Sequence, residues 1–241
     1  MRRDKTVAII QARLGSTRLP LKTLLCLGEY PVIDWIINRV RRSTMIDEII
    51  VALPDTPLDK ILLRHLQKSG TSCISGSESD VLGRMLKAAN HAAAQTIIRI
   101  CADNPLIDPD SLDRLITFYR DSMPDYAYNH IPRNNLWPDG LGGEILSARL
   151  LRHIAEVAVL PSQREHCLNY IWDNAENFTI RTFDPDESAL RRPEIKLDLD
   201  STGDYLRLCS LKPDIKMDAK AIVDAWDKAF PQNSTDKLAS P

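Results

Sequence analysis

The feature that most constrains the fold is an alternation, along the first half of the chain, of short buried runs with amphipathic helical patterns. Apolar runs rich in β-branched residues predict strands at 6–12, 48–53, 72–75 and 96–102. Helical periodicity predicts helices at 31–42, 57–68, 79–95 and 109–120. Strands joined through helices run parallel, and such a sheet is covered on both faces. The pattern therefore predicts an α/β fold with a mostly parallel central sheet and helices on both faces.

The second half of the chain is less regular. Its patterns predict strands at 126–130, 178–183 and 195–199, helices at 147–157, 161–175, 202–211 and 218–230, and a turn-rich segment at 134–143. We predict a single domain over residues 1–230, in which residues 126–185 form an excursion that covers the active site or makes a dimer contact. The polar residues 231–241 are predicted to form a disordered tail.

Composition narrows the class of protein. The chain has 241 residues, enough for one large domain with a full core, and its net charge of -2 argues against a nucleic-acid partner. Its five cysteines form no CxxC pair, which favours a reducing cytoplasm. The apolar run after the basic N-terminus is too short for a signal peptide or a membrane span, so we expect no membrane partner.

The segment that follows the first predicted strand is rich in groups that bind anions. Ligands of open parallel sheets bind beyond the carboxyl ends of the strands. Arginine forks and a lysine ammonium suit a polyphosphate, although a solvated basic loop has the same composition. The spacing is neither that of a P-loop nor that of a GxGxxG dinucleotide site. The groups concerned are three cations, two hydroxyls and a glycine: Arg13, Arg18, Lys22, Ser16, Thr17 and Gly15.

Three aspartates stand at the ends of later predicted strands. Asp103 follows the strand at 96–102, and Asp198 and Asp200 lie at the end of the strand at 195–199. Alternate residues of a strand share a face, and carboxylates at strand ends suit Mg²⁺. A helix cap or Asx turn is the alternative for Asp103, and an exposed edge strand is the alternative for the other two.

The residues of the basic loop also resemble a known signature. Residues 9–22 read IIQARLGSTRLPLK. This resembles the R-x-G-S-x-R-x-P-x-K signature of cytidylyltransferases that make CMP-activated acidic sugars, in particular the spore-coat polysaccharide branch with I-I-Q-A-R-x-G-S-T-R-L-P-G-K. Leu21 stands where that branch has glycine. Further blocks resemble the family in order over residues 5–210: GSESDVL at 76–82, DNPLIDP at 103–109, PDGL at 138–141, REH at 164–166 and DLDS at 198–201.

The resemblance implies a nucleotidyltransferase fold and the transfer of CMP from CTP to a small acidic sugar of the nonulosonic or octulosonic type. It implies that Asp103 and Asp200 hold Mg²⁺ with help from Asp198, that Arg13 and Lys22 act with them in catalysis, and that the chain forms a homodimer. It places nucleotide binding at Ala12, Arg13, Gly15, Ser16, Arg18, Lys22, Asp80, Arg84 and Ala102, and acceptor binding at Asp139, Glu144, Arg164 and His166.

Alternatives remain at this stage for both residues and function. Asp80 and Arg84 have the spacing of a surface ion pair on a helix. Arg164 and His166 stand at a predicted helix start, where they could be capping residues. The glycine-rich residues 140–143 could form a hairpin. The family reads P-D-G-L-D-V-E where this chain has Gly142 in place of the second aspartate. Another nucleoside triphosphate, a phosphonate or polyol phosphate acceptor, and a non-catalytic sugar-nucleotide-binding protein are the functional alternatives.

Overall fold

A seven-stranded sheet forms the centre of the protein in a computed structural model, which describes residues 4–231. The strands, in chain order, are β1 Thr6–Gln11, β2 Cys26–Leu27, β3 Tyr30–Pro31, β4 Glu48–Pro54, β5 Ser72–Gly76, β6 Thr96–Cys101, β7 Tyr126–Tyr128, β8 Glu144–Ser147 and β9 Ile180–Arg181. The sheet order is β5-β4-β1-β6-β8-β7-β9, and β2 pairs with β3 separately. Only β8 runs antiparallel to its neighbours in this sheet. The predicted mostly parallel sheet is confirmed.

Helices cover both faces of the sheet, as predicted. Strand β1 shows this directly, because Val7 and Ile9 lie in one buried apolar cluster and Ala8 and Ile10 lie in the other. This alternation is expected for a strand that is buried on both faces. The helices are α1 Val32–Val40, α2 Asp59–Lys68, α3 Val81–His91, α4 Pro109–Ser122, α5 Ala148–Val157, α6 Pro161–Glu165, α7 Asn169–Asp173, α8 Thr202–Ser210 and α9 Ala219–Ala229.

The second half departs from the sequence prediction in four places. Residues 195–199 form no ladder strand; they are an extended segment with one isolated bridge, between Lys196 and Asp139. The predicted helix at 161–175 divides into α6 and α7, because the backbone leaves helical geometry at His166. The predicted strand at 178–183 shortens to β9, and β8 was not predicted.

The segment 126–185 contributes β7, β8 and β9 to the central sheet. Apart from Pro231, the predicted tail lies outside the described residues. Within residues 4–231 no helix is both long enough and apolar enough to cross a membrane.

Candidate active site

The two predicted halves of the site meet at one edge of the sheet. Gln11, the last residue of β1, pairs with Cys101, the last residue of β6, so both strands end side by side. The Ala102 amide then donates to the Gln11 carbonyl at 3.1 Å. The basic loop and the turn that carries Asp103 therefore leave the sheet together, at the carboxyl end where parallel sheets bind ligands.

Contacts to helix α2 and within the loop fix the main chain of the basic loop. The Leu14 amide donates to Asp59 Oδ1 at 2.8 Å, and Thr23 Oγ1 donates to the Arg13 carbonyl at 2.9 Å. Leu21 has a φ of 58° and a ψ of 18°, which is the left-handed region. The residue that departs from the family pattern thus occupies a conformation that glycine adopts at less cost.

Lys22 joins the basic loop to two of the predicted metal ligands. Its Nζ lies 3.2 Å from Asp103 Oδ2, 3.0 Å from Asp200 Oδ1 and 2.8 Å from the Leu199 carbonyl. Arg18 Nη2 lies 3.0 Å from the other Asp200 oxygen. Cations from the loop and carboxylates from positions far along the chain therefore share one place.

The electrostatics of this cluster follow from burial and pairing. Burial disfavours the charge on Lys22, but Asp103 and Asp200 together raise its pKa above the ordinary value. Burial alone would raise the pKa of Asp200, yet the hydrogen bond and charge of Lys22 lower it below the usual range. Lys22 and Asp200 thus hold each other in their charged forms.

A cavity of about 190 Å³ lies over this cluster. Gly15 is not part of its lining, and Arg13 reaches toward solvent, with Nη1 4.0 Å from Glu165 Oε1. The residues predicted to bind nucleotide or metal that line the cavity are Ala12, Arg13, Ser16, Arg18, Lys22, Ala102, Asp103 and Asp200.

The surface pair considered for Asp80 and Arg84 is not formed. Arg84 is only 2% exposed and donates to the main-chain carbonyls of Ser77 and Glu78. Asp80 caps α3 through the Gly83 amide at 2.9 Å, and its two oxygens accept hydrogen bonds of 2.9 and 2.6 Å from Arg164. Asp80 therefore joins α3 to α6, and Arg84 supports the loop before α3.

The donor chemistry at Asp103 and Asp200 fits a hard divalent cation. Their oxygens already lie on either side of one ammonium group, and Mg²⁺ is commonly held by one or two carboxylates with water and phosphate oxygens. Asp198 does not line the cavity and its Oδ2 lies 3.3 Å from Lys196, although its Oδ1 is buried with no hydrogen-bond partner among the described residues. Within residues 4–231, no three His, Cys, Asp or Glu side chains are grouped to hold a metal ion.

A second cavity, of about 420 Å³, lies on the far side of Arg99. Glu144 and His166, two of the predicted acceptor residues, line it, whereas Asp139 and Arg164 do not. Burial, together with the nearby charge of Asp198, raises the pKa of Asp139 to about 7. The cavity is also lined by charged and aromatic residues that the sequence did not predict for the site, namely Arg99, His130, Arg133 and Trp172.

One signal in the sequence pointed to Arg99. It is a charged residue inside an otherwise apolar strand, and charged residues are rarely buried without a partner. Arg133 lacked any such signal, because only the fold places its guanidinium 3.7 Å from the centre of the Trp172 ring.

Comparison with known proteins decides the family. A family model described as cytidylyltransferase matches residues 7–205. The chain belongs to the cytidylyltransferase family. A spore coat polysaccharide biosynthesis protein of Bacillus subtilis (strain 168) is 36% identical to this cytidylyltransferase over 202 residues, which are 82% of each chain.

Solved structures agree with this assignment. A cytidylyltransferase from Leptospira borgpetersenii serovar Hardjo-bovis (strain JB197) superposes with a TM-score of 0.84 at 27% identity, covering 93% of this chain and 94% of the other. A CMP:2-keto-3-deoxy-manno-octonic acid synthetase complexed with CTP shares the fold, with a TM-score of 0.64 at 19% identity, covering 86% of this chain and 98% of that one. The predicted family, fold and enzyme class are thereby confirmed.

Proposed function

We propose that this cytidylyltransferase transfers CMP from CTP to a small acidic sugar and releases pyrophosphate. The observation that carries the proposal is the meeting of Arg18 and Lys22 with Asp103 and Asp200 at one sheet edge. Such a transfer needs positioning and charge neutralisation more than it needs a covalent intermediate. The spore coat relative and the CTP-bound synthetase, named for a polysaccharide and a sugar acid, support the acceptor class.

In this proposal the basic loop binds the triphosphate. Arg13, Arg18 and Lys22 neutralise its charge, while the main chain at Ala12, Gly15, Ser16 and Ala102 approaches the nucleotide. Asp80 and Arg84 serve the base end of the site, and their contacts support this by fixing the loop before α3. Asp103 and Asp200 would hold Mg²⁺, with Asp198 as a third candidate ligand. When bound, the ion would offset charge on the α-phosphate and lower the pKa of the attacking hydroxyl.

The second cavity is the proposed place of the acceptor. Its volume of about 420 Å³ lies within the range of small-molecule sites. His166 and Glu144 act from its wall in this proposal, and Arg164 and Asp139 act from outside its lining. The bond from the acceptor oxygen to the α-phosphorus forms as the bond to the pyrophosphate oxygen breaks.

A pyrophosphate-release screen tests the function. The four common nucleoside triphosphates are each paired with nonulosonic acids, octulosonic acids, phosphonates and polyol phosphates, and Asp200→Asn serves as the variant with a damaged site. We expect release with CTP and an acidic sugar. Faster release with another triphosphate, or with a phosphonate or polyol phosphate, would favour the corresponding alternative. No release from any pair, with CTP still bound, would favour a sugar-nucleotide-binding protein.

The homodimer and the cytoplasmic location expected from the sequence stay predictions. Val159 and Leu160, in the turn between α5 and α6, are 79% and 53% exposed, and this turn lies inside the segment 126–185. They are the residues to change to aspartate when light scattering measures the mass in solution. A monomeric mass for the unaltered chain would contradict the dimer.

A further inference from the structure

Arg99 occupies the wall between the two cavities. It lies near the middle of the buried part of the sheet, on β6, which pairs with β1 on one side and β8 on the other. Among the residues the structure describes, it is the one that lines both the nucleotide cavity and the second cavity. Molecules bound in the two cavities would therefore both lie next to the Arg99 side chain.

Two neighbours hold this guanidinium in one orientation. Its Nε donates to Gln11 Oε1 at 3.0 Å, and its Nη1 donates to Glu144 Oε2. The other Glu144 oxygen accepts from the Tyr126 hydroxyl at 2.6 Å. Each Glu144 oxygen therefore accepts a hydrogen bond from a neighbour, and the side chain is only 5% exposed.

The third nitrogen of the group is still available. Arg99 Nη2 has no hydrogen-bond partner within residues 4–231, and it is not among the unpartnered atoms sealed from solvent. The side chain is 17% exposed. Burial disfavours its charge, but Glu144 and neighbouring groups keep the pKa of Arg99 above its ordinary value. Arg99 is thus a charged and oriented side chain that lines both cavities and has one nitrogen, Nη2, without a hydrogen-bond acceptor among the described residues.

The chemistry of a sugar acid matches this position. In the ring form of a 2-keto sugar acid, the hydroxyl on the former keto carbon is adjacent to the carboxylate. A group that binds that carboxylate must therefore lie beside the point of attack on the α-phosphate. Arginine suits a planar carboxylate, and a cation there offsets the repulsion between two anions brought together.

We propose that Arg99 is a catalytic residue that binds the acceptor carboxylate where the two cavities meet, and that Glu144 is the positioning residue that orients it. This rests on the proposed function. The acceptor hydroxyl oxygen bonds to the α-phosphorus, pyrophosphate leaves with the electrons of the broken P–O bond, and the hydroxyl proton passes to water. Arg99 stays charged throughout and exchanges no proton.

The first experiment compares Arg99→Ala with the unaltered enzyme, with Arg181→Ala as control because Arg181 is an exposed arginine on another strand. The acceptor is the acid that the screen identifies, used also as its methyl ester. We expect Arg99→Ala to lower kcat/KM for the acid roughly 100-fold, as for loss of an oriented charge-stabilising donor, and to change CTP affinity less than about threefold. For the methyl ester, the substitution should lower kcat/KM far less, because the ester has no carboxylate for Arg99 to bind.

Two further readouts separate catalysis from structure. Added methylguanidine should raise the rate of the Arg99→Ala variant at least about tenfold, because it can occupy the place of the missing guanidinium group. Glu144→Gln retains the shape of the network but loses its charge, so we expect a higher acceptor KM with CTP affinity unchanged.

Three outcomes would overturn the proposal. The first is an Arg99→Ala rate on the acid close to that of the unaltered enzyme, and the second is an equal loss for acid and ester. The third is a matching loss of CTP affinity, which would assign Arg99 to the nucleotide or the fold. If the unaltered enzyme releases no pyrophosphate with any pair in the screen, the proposed function fails and this proposal fails with it.

Discussion

At the scale of single residues, Lys22 has two partners that a metal ion would also bind. Its Nζ lies 3.2 Å from Asp103 and 3.0 Å from Asp200. An ammonium and a divalent cation repel each other at such distances, so both cannot occupy this place. A bound triphosphate offers Lys22 other oxygens, and metal and nucleotide binding should therefore be coupled.

This coupling predicts an effect of Lys22→Gln on metal binding. Without nucleotide, the variant should bind Mn²⁺ about tenfold more tightly than the unaltered chain, because removing one repelling charge is worth on the order of 1 kcal/mol at a partly exposed site. Electron paramagnetic resonance of free Mn²⁺ measures this directly. The exposed Lys228→Gln, on α9, is the control, and adding Asp200→Asn to Lys22→Gln should abolish the gain. Equal affinities in the variant and the unaltered chain would contradict the competition.

Leu21 supports a second prediction at this scale. Its φ of 58° places a side chain in the left-handed region, and the side chain is 43% exposed, so little burial compensates. Leu21→Gly should raise the free energy of unfolding by roughly 0.5 to 1 kcal/mol, since the strain relieved exceeds the added entropy of the unfolded chain. Urea titration measures it, with the exposed helical Leu206→Gly as a control that should lose stability. A loss for Leu21→Gly would refute the strain.

At the scale of elements, strand β8 depends on the glycines before it. The Asn129 side chain is buried; its Oδ1 accepts from the Gly143 amide at 3.0 Å, and its Nδ2 donates to the Ser111 carbonyl at 2.9 Å. A Cβ at Gly142 would overlap that Asn129 oxygen, and one at Gly143 would lie 2.9 Å from Ile98. At position 142 the chain thus has glycine in place of the family aspartate, and the Asn129 side chain occupies the space that a Cβ would need.

We therefore predict that Gly142→Asp, which restores the family residue, destabilises this protein. The expected loss is roughly 2 to 4 kcal/mol, because the substitution overpacks the site and breaks the bonds of Asn129. Thermal and urea unfolding check it. Gly203→Ala, where a Cβ would lie 3.7 Å from Ser201 Oγ, is the matched control and should be neutral or stabilising. A Gly142→Asp variant as stable as the unaltered chain would show that Asn129 can move away.

At the scale of the whole molecule, the fold gathers residues that are far apart in sequence. Lys22 meets Asp103 across 81 positions and Asp200 across 178. The network around Arg99 likewise joins β1, β6, β7 and β8 through Gln11, Tyr126 and Glu144. His130 lies at the edge of this network with its side chain 16% exposed, and its Nδ1 is buried with no hydrogen-bond partner among the described residues.

The partial burial of His130 predicts a pH dependence of stability. Burial, with a contribution from Arg99, lowers the pKa of His130 below its usual 6.5. Below about pH 6.5 His130 therefore becomes protonated in the unfolded chain before it does so in the folded chain. The free energy of unfolding consequently falls as pH falls, by up to about 1.4 kcal/mol per pH unit. His130→Gln should remove this part of the slope in urea titrations between about pH 5 and 7.5. The exposed His153→Gln is the control, and an unchanged slope in His130→Gln would contradict the assignment.

The sequence alone determined the α/β class, the family, and the loop and turn that carry the site. These depend on local periodicity and on ordered motifs. Both can be identified in the linear sequence because residues close together in the chain form them. It did not predict β8, whose four residues lie between β6 and β7 and have no long apolar run of their own.

Only the tertiary structure decided which motif residues face a cavity and which support others. Asp80, Arg84 and Glu144 carry charges suited to binding, yet each is engaged by a partner: Arg164, a main-chain carbonyl, and Arg99 and Tyr126 respectively. The tertiary structure also set Arg99 between two cavities and Lys22 between two carboxylates. The reason is physical: whether a charged side chain binds a ligand or a neighbour depends on distances across the sheet, which no local pattern encodes.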